Sequence, residues 1–218
     1  MKIYTGTSWS VDNQKECARL NIGMMSSPVD LVHPDKIIKE VDVAGDNSAF
    51  RCYREGTLFD EQRFYGWLDS LTRRIDFVPY PDIVCGGMSS YYYSKKHIGR
   101  IPDIPAYFVV QDGMTFDLVY PALSECDGCF IGGSTNVGVC SGWKWQVATR
   151  EFIYPCHEIG LPVHMGRCPG NIKGLDAATE LGIDSIDVST LIRHSYSGQL
   201  MRVERLNAHR AEQQRFAP

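Results

Sequence analysis

Short apolar runs alternate with segments of helical periodicity along most of the chain. Eight runs have the length and composition of buried strands: residues 3–7, 22–26, 40–44, 82–85, 106–111, 129–132, 162–165 and 183–188. Apolar side chains recur at the spacing of one helix face in residues 59–71, 116–123, 143–159 and 171–181, of which the third segment is the longest. Because strands that alternate with helices usually pair in parallel, this pattern predicts a mostly parallel sheet.

A single (β/α)8 barrel of the TIM type is the α/β architecture that this alternation favours, with an open doubly wound sheet as the alternative. The chain has 218 residues, of which 44% are hydrophobic and 22% are charged, as in ordinary globular domains. No low-complexity linker divides it, so residues 1–218 are expected to form one domain.

Cysteine usage and hydropathy favour a cytoplasmic protein. The eight cysteines are scattered along the chain, which favours free thiols in a reducing compartment over a disulfide scaffold. No apolar run approaches the roughly 20 residues of a membrane-spanning helix. The N-terminus starts directly as a strand and lacks the pattern of a signal peptide. We therefore expect no membrane association.

The charge balance argues against indiscriminate binding to nucleic acid. The formal net charge is −4, whereas neutralisation of phosphates needs clustered Lys and Arg. One local basic cluster contains Lys95, Lys96 and Arg100, and a second lies within residues 202–215. The clusters are either solvated faces or local tracks for a phosphate backbone, and the sequence leaves both interpretations open.

An acid stands at the end of the last predicted strand. Residues 183–188 read Ile-Asp-Ser-Ile-Asp-Val, and Asp187 lies near their C-terminal end. In α/β barrels this end of the strands carries the active site, so Asp187 is a candidate catalytic residue. A structural role for Asp187 stays open, and Asp184 is the nearest alternative acid.

Four blocks of the chain resemble, in order, blocks of the tRNA-guanine transglycosylase superfamily. Residues 45–50 (Gly-Asp-Asn-Ser-Ala-Phe) resemble its Asp-Ser-Gly-Gly-Tyr/Phe loop, and residues 109–113 (Val-Val-Gln-Asp-Gly) resemble its Gln-Gly block. Residues 127–133 (Asp-Gly-Cys-Phe-Ile-Gly-Gly) resemble its Asp-Gly-aromatic-Gly-Gly block. His-Met-Gly at residues 164–166, with Gly-Ile-Asp-Ser-Ile-Asp at 182–187, resembles its Met-Gly…Gly-Ile-Asp-x-Phe-Asp block.

The resemblance implies a (β/α)8 barrel that exchanges a guanine base for a 7-deazaguanine without breaking the nucleic-acid backbone. Asp187 falls on the family's nucleophile and Asp46 on its general acid/base. The residue types suit that reaction, because a carboxylate can trap an oxocarbenium-like sugar while a second carboxylic acid protonates the departing base. Double displacement would also preserve the β-configuration.

The resemblance further implies a base pocket. Phe50 falls where the family stacks an aromatic ring on the base, and Met165 where it covers the other face; ordinary core packing is the alternative for each. Gly132 and Gly133 would let backbone amides approach the base edge, unless they only form a turn.

Two polar residues complete the implied pocket. Gln111 belongs to the Gln-Gly block, and Asp112 beside it can accept hydrogen bonds from N1–H and N2–H of guanine. A lone Asp in a loop is also a common turn-former, so both roles stay open for Asp112.

The chain departs from the family at two places. The tRNA enzymes hold a structural zinc through a cysteine cluster after the nucleophile strand, but no cysteine follows Cys168 here, and the pair Cys126 and Cys129 has no matching second pair. We expect neither metal nor cofactor, and no zinc subdomain. The family's acid after its Asp-Ile-Val strand is also missing from residues 82–88, so one guanine-recognition carboxylate is unaccounted for.

The missing zinc subdomain favours DNA as the substrate. The compact chain looks closest to the 7-deazaguanine DNA transglycosylases of phage and bacterial DNA modification, which insert preQ0-type bases, and a phage enzyme would work in the host cytoplasm. The expected partners are DNA, with RNA as the alternative, and the free 7-deazaguanine base. Lys95, Lys96, Arg100 and Arg193 are the expected nucleic-acid contacts.

Other readings stay open. They are a tRNA-type enzyme, a barrel glycosidase or hydrolase of a small nucleoside-like metabolite, and a catalytically inactive barrel that binds a nucleobase or a protein. A homodimer or an accessory protein also stays open, as do the target sequence and the exact 7-deazaguanine.

Overall fold

Eight parallel strands form the centre of the molecule. A computed structural model describes residues 1–101, 103–133, 142–146, 149–170 and 172–188. Within these residues the strands are β1 (Lys2–Gly6), β2 (Ile22–Ser26), β3 (Val43–Gly45), β4 (Val78–Pro79), β5 (Ala106–Val110), β6 (Gly128–Ile131), β7 (Val163–Met165) and β8 (Ser185–Asp187).

Helices connect the strands on the outside. They are α1 (Val11–Arg19), α2 (Ala49–Glu55), α3 (Glu61–Asp69), α4 (Met88–Lys95), α5 (Phe116–Leu123), α6 (Trp143–Gln146), α7 (Tyr154–Glu158) and α8 (Ile172–Glu180). A 3-10 turn covers Pro34–Lys36, and a π-helical turn, Thr149–Ile153, leads into α7. Side-chain caps fix several starts; for example, Ser10 accepts a hydrogen bond from the N–H of Asn13 at the start of α1.

The sheet curves into a nearly closed barrel. The strand order is β3-β2-β1-β8-β7-β6-β5-β4, so β1 pairs with both β2 and β8. Between β3 and β4 the N–H of Asp76 donates to the carbonyl of Val43 at 2.7 Å, and the N–H of Gly45 donates to the carbonyl of Phe77 at 2.7 Å. The predicted (β/α)8 barrel is therefore confirmed, and the open doubly wound alternative is wrong.

Alternate residues of each strand serve two different cores. In β7, Val163 and Met165 face the helices, whereas His164 between them faces the barrel interior. Aromatic rings from several strands meet inside the barrel: Phe77 stacks on Tyr107 at 4.4 Å between ring centroids and lies 4.8 Å from His164. Rings from strands on different sides can touch only in the interior, so the barrel is filled rather than hollow.

Two predicted elements differ from the observed ones. Residues 82–85 do not form a strand; the fourth strand is Val78–Pro79, which is too short, and contains a proline, to show a strand pattern in the sequence. The helix predicted for residues 143–159 is divided into α6, the π-helical turn and α7. Pro155 in the first turn of α7 lacks the N–H that would continue one uninterrupted helix.

The described residues share two further properties. None of the described helices is long and apolar enough to cross a membrane. Every described cysteine is a free thiol: Cys17, Cys52, Cys85, Cys126, Cys129, Cys156 and Cys168.

Candidate active site

Asp187 is the last residue of β8 and lies at the barrel mouth, the end at which the carboxyl ends of the strands meet. Its Oδ1 atom accepts two hydrogen bonds, one from the backbone N–H of Arg167 at 2.8 Å and one from Nε2 of His164 at 3.2 Å. From the described residues Oδ2 accepts none. Within the part of the chain that the structure describes, the carboxylate is thus held through one oxygen.

His164 supports Asp187 from inside the barrel. The ring is completely buried, and its Nδ1 lies 2.8 Å from the hydroxyl of Ser185. Burial lowers the pKa of His164, although the neighbouring Asp187 opposes the shift. A neutral ring that accepts from Ser185 and donates from Nε2 to Asp187 satisfies both contacts.

Asp46 follows β3 and stands on the same end of the barrel. Its N–H donates to the carbonyl of Ser26 at 2.8 Å, and its Oδ1 accepts from the N–H of Ser48 at 2.6 Å. Burial raises the pKa of Asp46 to about 7, and the negative charge of Asp187 adds to this shift. The two carboxylates are therefore close enough to interact, and their environments differ.

A buried polar network anchors the loop that carries Asp46. Asn47 donates to Oδ1 of Asp82 at 2.8 Å and accepts from the N–H of Ala49 at 2.8 Å. Gln111 donates to Oδ2 of Asp82 at 2.7 Å and to Ser90 at 3.1 Å. Burial raises the pKa of Asp82 to about 6.

The same network leaves one acceptor without a donor. Oε1 of Gln111 is buried and receives no hydrogen bond from the described residues. A buried amide oxygen without a donor is destabilising by about 1–3 kcal/mol, which a ligand N–H could relieve. Gln111 therefore offers a buried acceptor with which a ligand N–H can form a hydrogen bond.

Lys144 brings a buried positive charge to the site. Its side chain is only 1% exposed, and Nζ donates to the carbonyl of Gly166 at 2.6 Å. Burial lowers the pKa of Lys144, while the charges of Asp187 and Asp112 oppose the shift. Because Gly166 precedes the residue whose N–H binds Asp187, Lys144 fixes the loop that orients this carboxylate.

Glycine is required at position 166 by close packing. A Cβ atom there would lie 2.7 Å from the ring of Phe130 and 3.4 Å from Oδ1 of Asp187. Any side chain would push the loop away from the carboxylate. Arg167, the next residue, has a φ of 55°, a conformation that residues with a side chain rarely adopt.

Arg167 also makes a contact across the mouth. Its guanidinium carbon lies 3.5 Å from the centroid of the Phe50 ring. Phe50 belongs to α2 after β3, and Arg167 follows β7, which is on the opposite side of the eight-stranded barrel. Phe50 is therefore at the mouth, with the guanidinium of Arg167 against one face of its ring.

Gly132 and Gly133 follow β6 beside Asp112. A Cβ atom at Gly133 would overlap the ring of Trp143 and lie 2.8 Å from Oδ2 of Asp112, while one at Gly132 would lie 2.9 Å from Cγ1 of Val109. Packing alone thus explains both glycines. Asp112 is exposed at the mouth, where a ligand can reach it.

Met165 is not at the mouth. Its side chain is fully buried in the core between strands and helices, because it alternates with the inward-facing His164. The predicted role of Met165 in covering a base is therefore replaced by a packing role.

The basic cluster of Lys95, Lys96 and Arg100 lies on the outer, helical layer. Lys95 ends α4, which runs away from the mouth, and Arg100 lies 3.4 Å from Glu61 and over the ring of Tyr65 of α3. A helix after a parallel strand carries its C-terminus back toward the strands' amino ends, so these residues lie away from the mouth, and their contact with nucleic acid stays a prediction. Arg193 lies outside the described residues.

Four residues of the candidate site were not predicted from the sequence: His164, Lys144, Arg167 and Asp82. His164 had a usable signal, since strand alternation places it opposite Val163 and Met165. No sequence signal indicates that Lys144 is buried, because a lysine between two tryptophans is not a pattern typical of burial. Asp82 was assigned to a strand that does not exist.

Comparisons with known proteins identify no family. A scan against protein-family models and a search of the curated proteins both returned no match. The resemblance to the tRNA-guanine transglycosylase superfamily therefore stays a prediction. Among the described residues no three His, Cys, Asp or Glu side chains come together as a metal site would require.

Proposed function

We propose that the protein is a pentosyltransferase that replaces guanine in DNA with a 7-deazaguanine of the preQ0 type. The observation that carries the proposal is the pair of acids at the barrel mouth. Asp187 is held by His164 and the N–H of Arg167, whereas the pKa of Asp46 is raised to about 7 by burial. Two carboxyl groups with different environments can act as nucleophile and as acid in one reaction.

In the first half-reaction Asp187 attacks C1′ of the target deoxyribose. The bond between C1′ and the guanine nitrogen breaks, and the protonated carboxyl of Asp46 gives its proton to the departing base. The sugar is left as an ester of Asp187, and guanine leaves as a neutral molecule.

In the second half-reaction the 7-deazaguanine takes the place of guanine. The carboxylate of Asp46 removes a proton from the incoming base, whose nitrogen then attacks C1′ and releases Asp187. A pKa of about 7 for Asp46 suits both directions, because the group must first donate and then accept a proton near neutral pH.

Recognition of the base is assigned to residues around the two acids. Oε1 of Gln111 is a buried acceptor that a guanine N–H could satisfy, and Asp112 stands exposed at the same end of the barrel. The Phe50 ring offers a stacking face. Asp82 is held within the network of Asn47 and Gln111 and positions both rather than reading the base itself.

The polymer in the proposed reaction is DNA. DNA is the polymer that the resemblance to the 7-deazaguanine DNA transglycosylases implies, and a comparison of exchange into DNA and into tRNA tests it. A duplex would have to extrude the guanine into the mouth, which costs about a few kcal/mol.

The decisive experiment measures base exchange and the covalent adduct together. The protein is incubated with radiolabelled guanine and either DNA or tRNA, and adducts that resist denaturation are resolved on a gel. We expect label in DNA and an adduct for the wild type. Asp187→Asn should give neither, since an amide is isosteric with the carboxylate but far less nucleophilic.

Asp184→Asn is the matched control. Asp184 precedes β8 at the far end of the strand, where Oδ2 accepts from the N–H of Val163 at 2.7 Å. Exchange should therefore survive in this variant. An adduct that persists in Asp187→Asn would refute the nucleophile. Exchange into tRNA alone would assign the enzyme to RNA, and label in neither polymer would favour a small nucleoside-like substrate.

A further inference from the structure

Helix α2 stands exposed beside the candidate acids. It begins just after Asp46, and its sequence, Ala-Phe-Arg-Cys-Tyr-Arg-Glu, is mainly basic and aromatic. Arg51 and Arg54 are exposed, and Tyr53 is 56% exposed. An exposed aromatic ring between two arginines on a short helix does not serve the core.

The surface continues across the barrel mouth. Arg167 reaches the Phe50 ring from the opposite side of the barrel. We define the α2 surface as Phe50, Arg51, Tyr53, Arg54 and Arg167. It joins the helix that follows Asp46 to the loop that holds Asp187.

Carboxylates accompany the arginines of this surface. Glu55 lies 3.0 Å from Arg51 and 3.6 Å from Arg54. Burial lowers the pKa of Arg167, the negative charge of Asp187 opposes the shift, and the positive charge of Arg54 adds a smaller contribution in the same direction as burial. Arg54 and Arg167 are therefore close enough to interact, and a phosphate could contact both.

We propose that the α2 surface binds the phosphodiester strand that carries the target nucleotide. Arg51, Arg54 and Arg167 contact phosphates, and Tyr53 stacks on a neighbouring base, the combination by which proteins hold single strands without reading their sequence. The inference rests on the function proposed above and gives the polymer a place that the outer cluster of Lys95 and Lys96 does not provide.

A charge-matched pair of variants tests the location. Binding of a fluorescent single-stranded oligodeoxynucleotide is measured by anisotropy over a range of salt concentrations. Arg51→Ala with Arg54→Ala should weaken binding about tenfold and lower the salt slope by about 1.4, since each single-strand phosphate contact contributes about 0.7. Lys95→Ala with Lys96→Ala removes the same charge from the outer layer and should change affinity less than about twofold.

A matched aromatic pair tests stacking. Tyr53 and Tyr92 are similarly exposed, at 56% and 61%, but Tyr92 is on α4. Tyr53→Leu should weaken oligonucleotide binding about fivefold or more, because base stacking on an aromatic ring contributes roughly 1–3 kcal/mol. Tyr92→Leu should have no effect. Equal effects of both substitutions, or of both basic pairs, would overturn the proposal.

Substitution of Arg167 distinguishes binding of the nucleic-acid strand from binding of the free base. Its contact with Phe50 must be given up when a base stacks there, and a cation–π contact at an exposed site contributes about 0.5–1 kcal/mol. Arg167→Ala should therefore bind free 7-deazaguanine two- to fivefold more tightly, yet bind the oligonucleotide more weakly. Weaker binding of the free base would place Arg167 in the base pocket and contradict its assignment to a phosphate.

Two other outcomes have distinct meanings. If wild type is a dimer in solution and Arg51→Ala with Arg54→Ala is a monomer of unchanged oligonucleotide affinity, the surface belongs to a second copy and the inference fails. If binding depends on α2 but no base exchange or adduct appears, the inference stands and the proposed function fails. If base exchange occurs but the α2 variants do not slow it at low substrate concentration, the proposed function stands and the inference about the α2 surface fails.

Discussion

At the scale of single residues, the candidate site places two chemically identical groups in different environments. Asp187 receives two hydrogen bonds on one oxygen, whereas Asp46 receives one from the N–H of Ser48. Burial raises the pKa of Asp46 to about 7. The local strain at Ser48, whose φ is 67°, belongs to the same loop and is typical of functional positions.

The pH dependence of base release follows from this pKa. Asp46 must be protonated to act as the acid, so the single-turnover rate of guanine release should be constant well below pH 7 and fall tenfold per unit above it. Asp46→Asn should slow release by about 10²–10⁴-fold and remove this limb of the profile. A wild-type rate that rises through pH 7 would mean that Asp46 acts first as a base.

The residue scale also shows what a sequence can predict about a site. Asp46 and Asp187 were predicted as site residues because each lies at the carboxyl end of a strand within a family-like block, and the structure places both at the barrel mouth. Lys144, Arg167 and the exact face of Met165 could not be identified, since burial, stacking and strand orientation depend on residues distant in the chain. For His164, the alternation in β7 predicts that the side chain points into the barrel but does not predict its hydrogen bond to Asp187.

At the scale of elements, the site depends on contacts between neighbouring loops. Lys144 on α6 holds the carbonyl of Gly166 after β7, and the loop after β7 holds Asp187 on β8. The predicted helix over residues 143–159 includes Lys144, but its contact with Gly166 depends on the fold and was not predictable from periodicity. The interruption between α6 and α7 is the feature that apolar periodicity did not reveal.

Replacement of Lys144 should separate catalysis from stability. Lys144→Met removes a buried charge, so we expect the free energy of unfolding to stay the same or rise. The loop at Gly166 loses its anchor, and a displacement of about 1 Å near a reacting group can slow a reaction by about 10²-fold. Adduct formation should slow accordingly, as measured by rapid quench alongside urea unfolding.

The exposed Lys173 on α8 provides the control. Lys173→Met should change neither quantity. A less stable Lys144→Met protein that forms the adduct at the wild-type rate would show that Lys144 is structural only.

At the scale of the whole molecule, the strand–helix alternation was sufficient to predict the barrel. Strands β1, β2, β5, β6 and β7 lie within about a residue of their predicted positions, and α5 matches at both ends. The short β4 escaped the pattern, as did α4, whose sequence of serines and tyrosines has no apolar periodicity. Closure depends on backbone hydrogen bonds beside β3 and β4, which no side-chain pattern records.

The aromatic interior should be the most sensitive part of the fold. Phe77 is buried and contacts Tyr4, Tyr107 and His164. Phe77→Ala should lower the free energy of unfolding by about 3–5 kcal/mol, because it leaves a cavity among rigid rings. Denaturant unfolding measures the change, and Tyr92→Ala on the surface should stay within about 0.5 kcal/mol of wild type. A loss of less than about 1 kcal/mol for Phe77→Ala would mean that the interior rings collapse into the space.

The filled interior also has a kinetic consequence. Tyr4, Phe77 and Tyr107 occupy the amino-terminal side of the barrel, so within the described residues a ligand reaches Asp187 from the mouth alone. In the proposed reaction a departing guanine would have to leave through the opening by which the next base arrives. Guanine would therefore leave before the next base binds. Initial rates measured at several concentrations of each substrate should then give parallel double-reciprocal lines, as expected for a ping-pong mechanism.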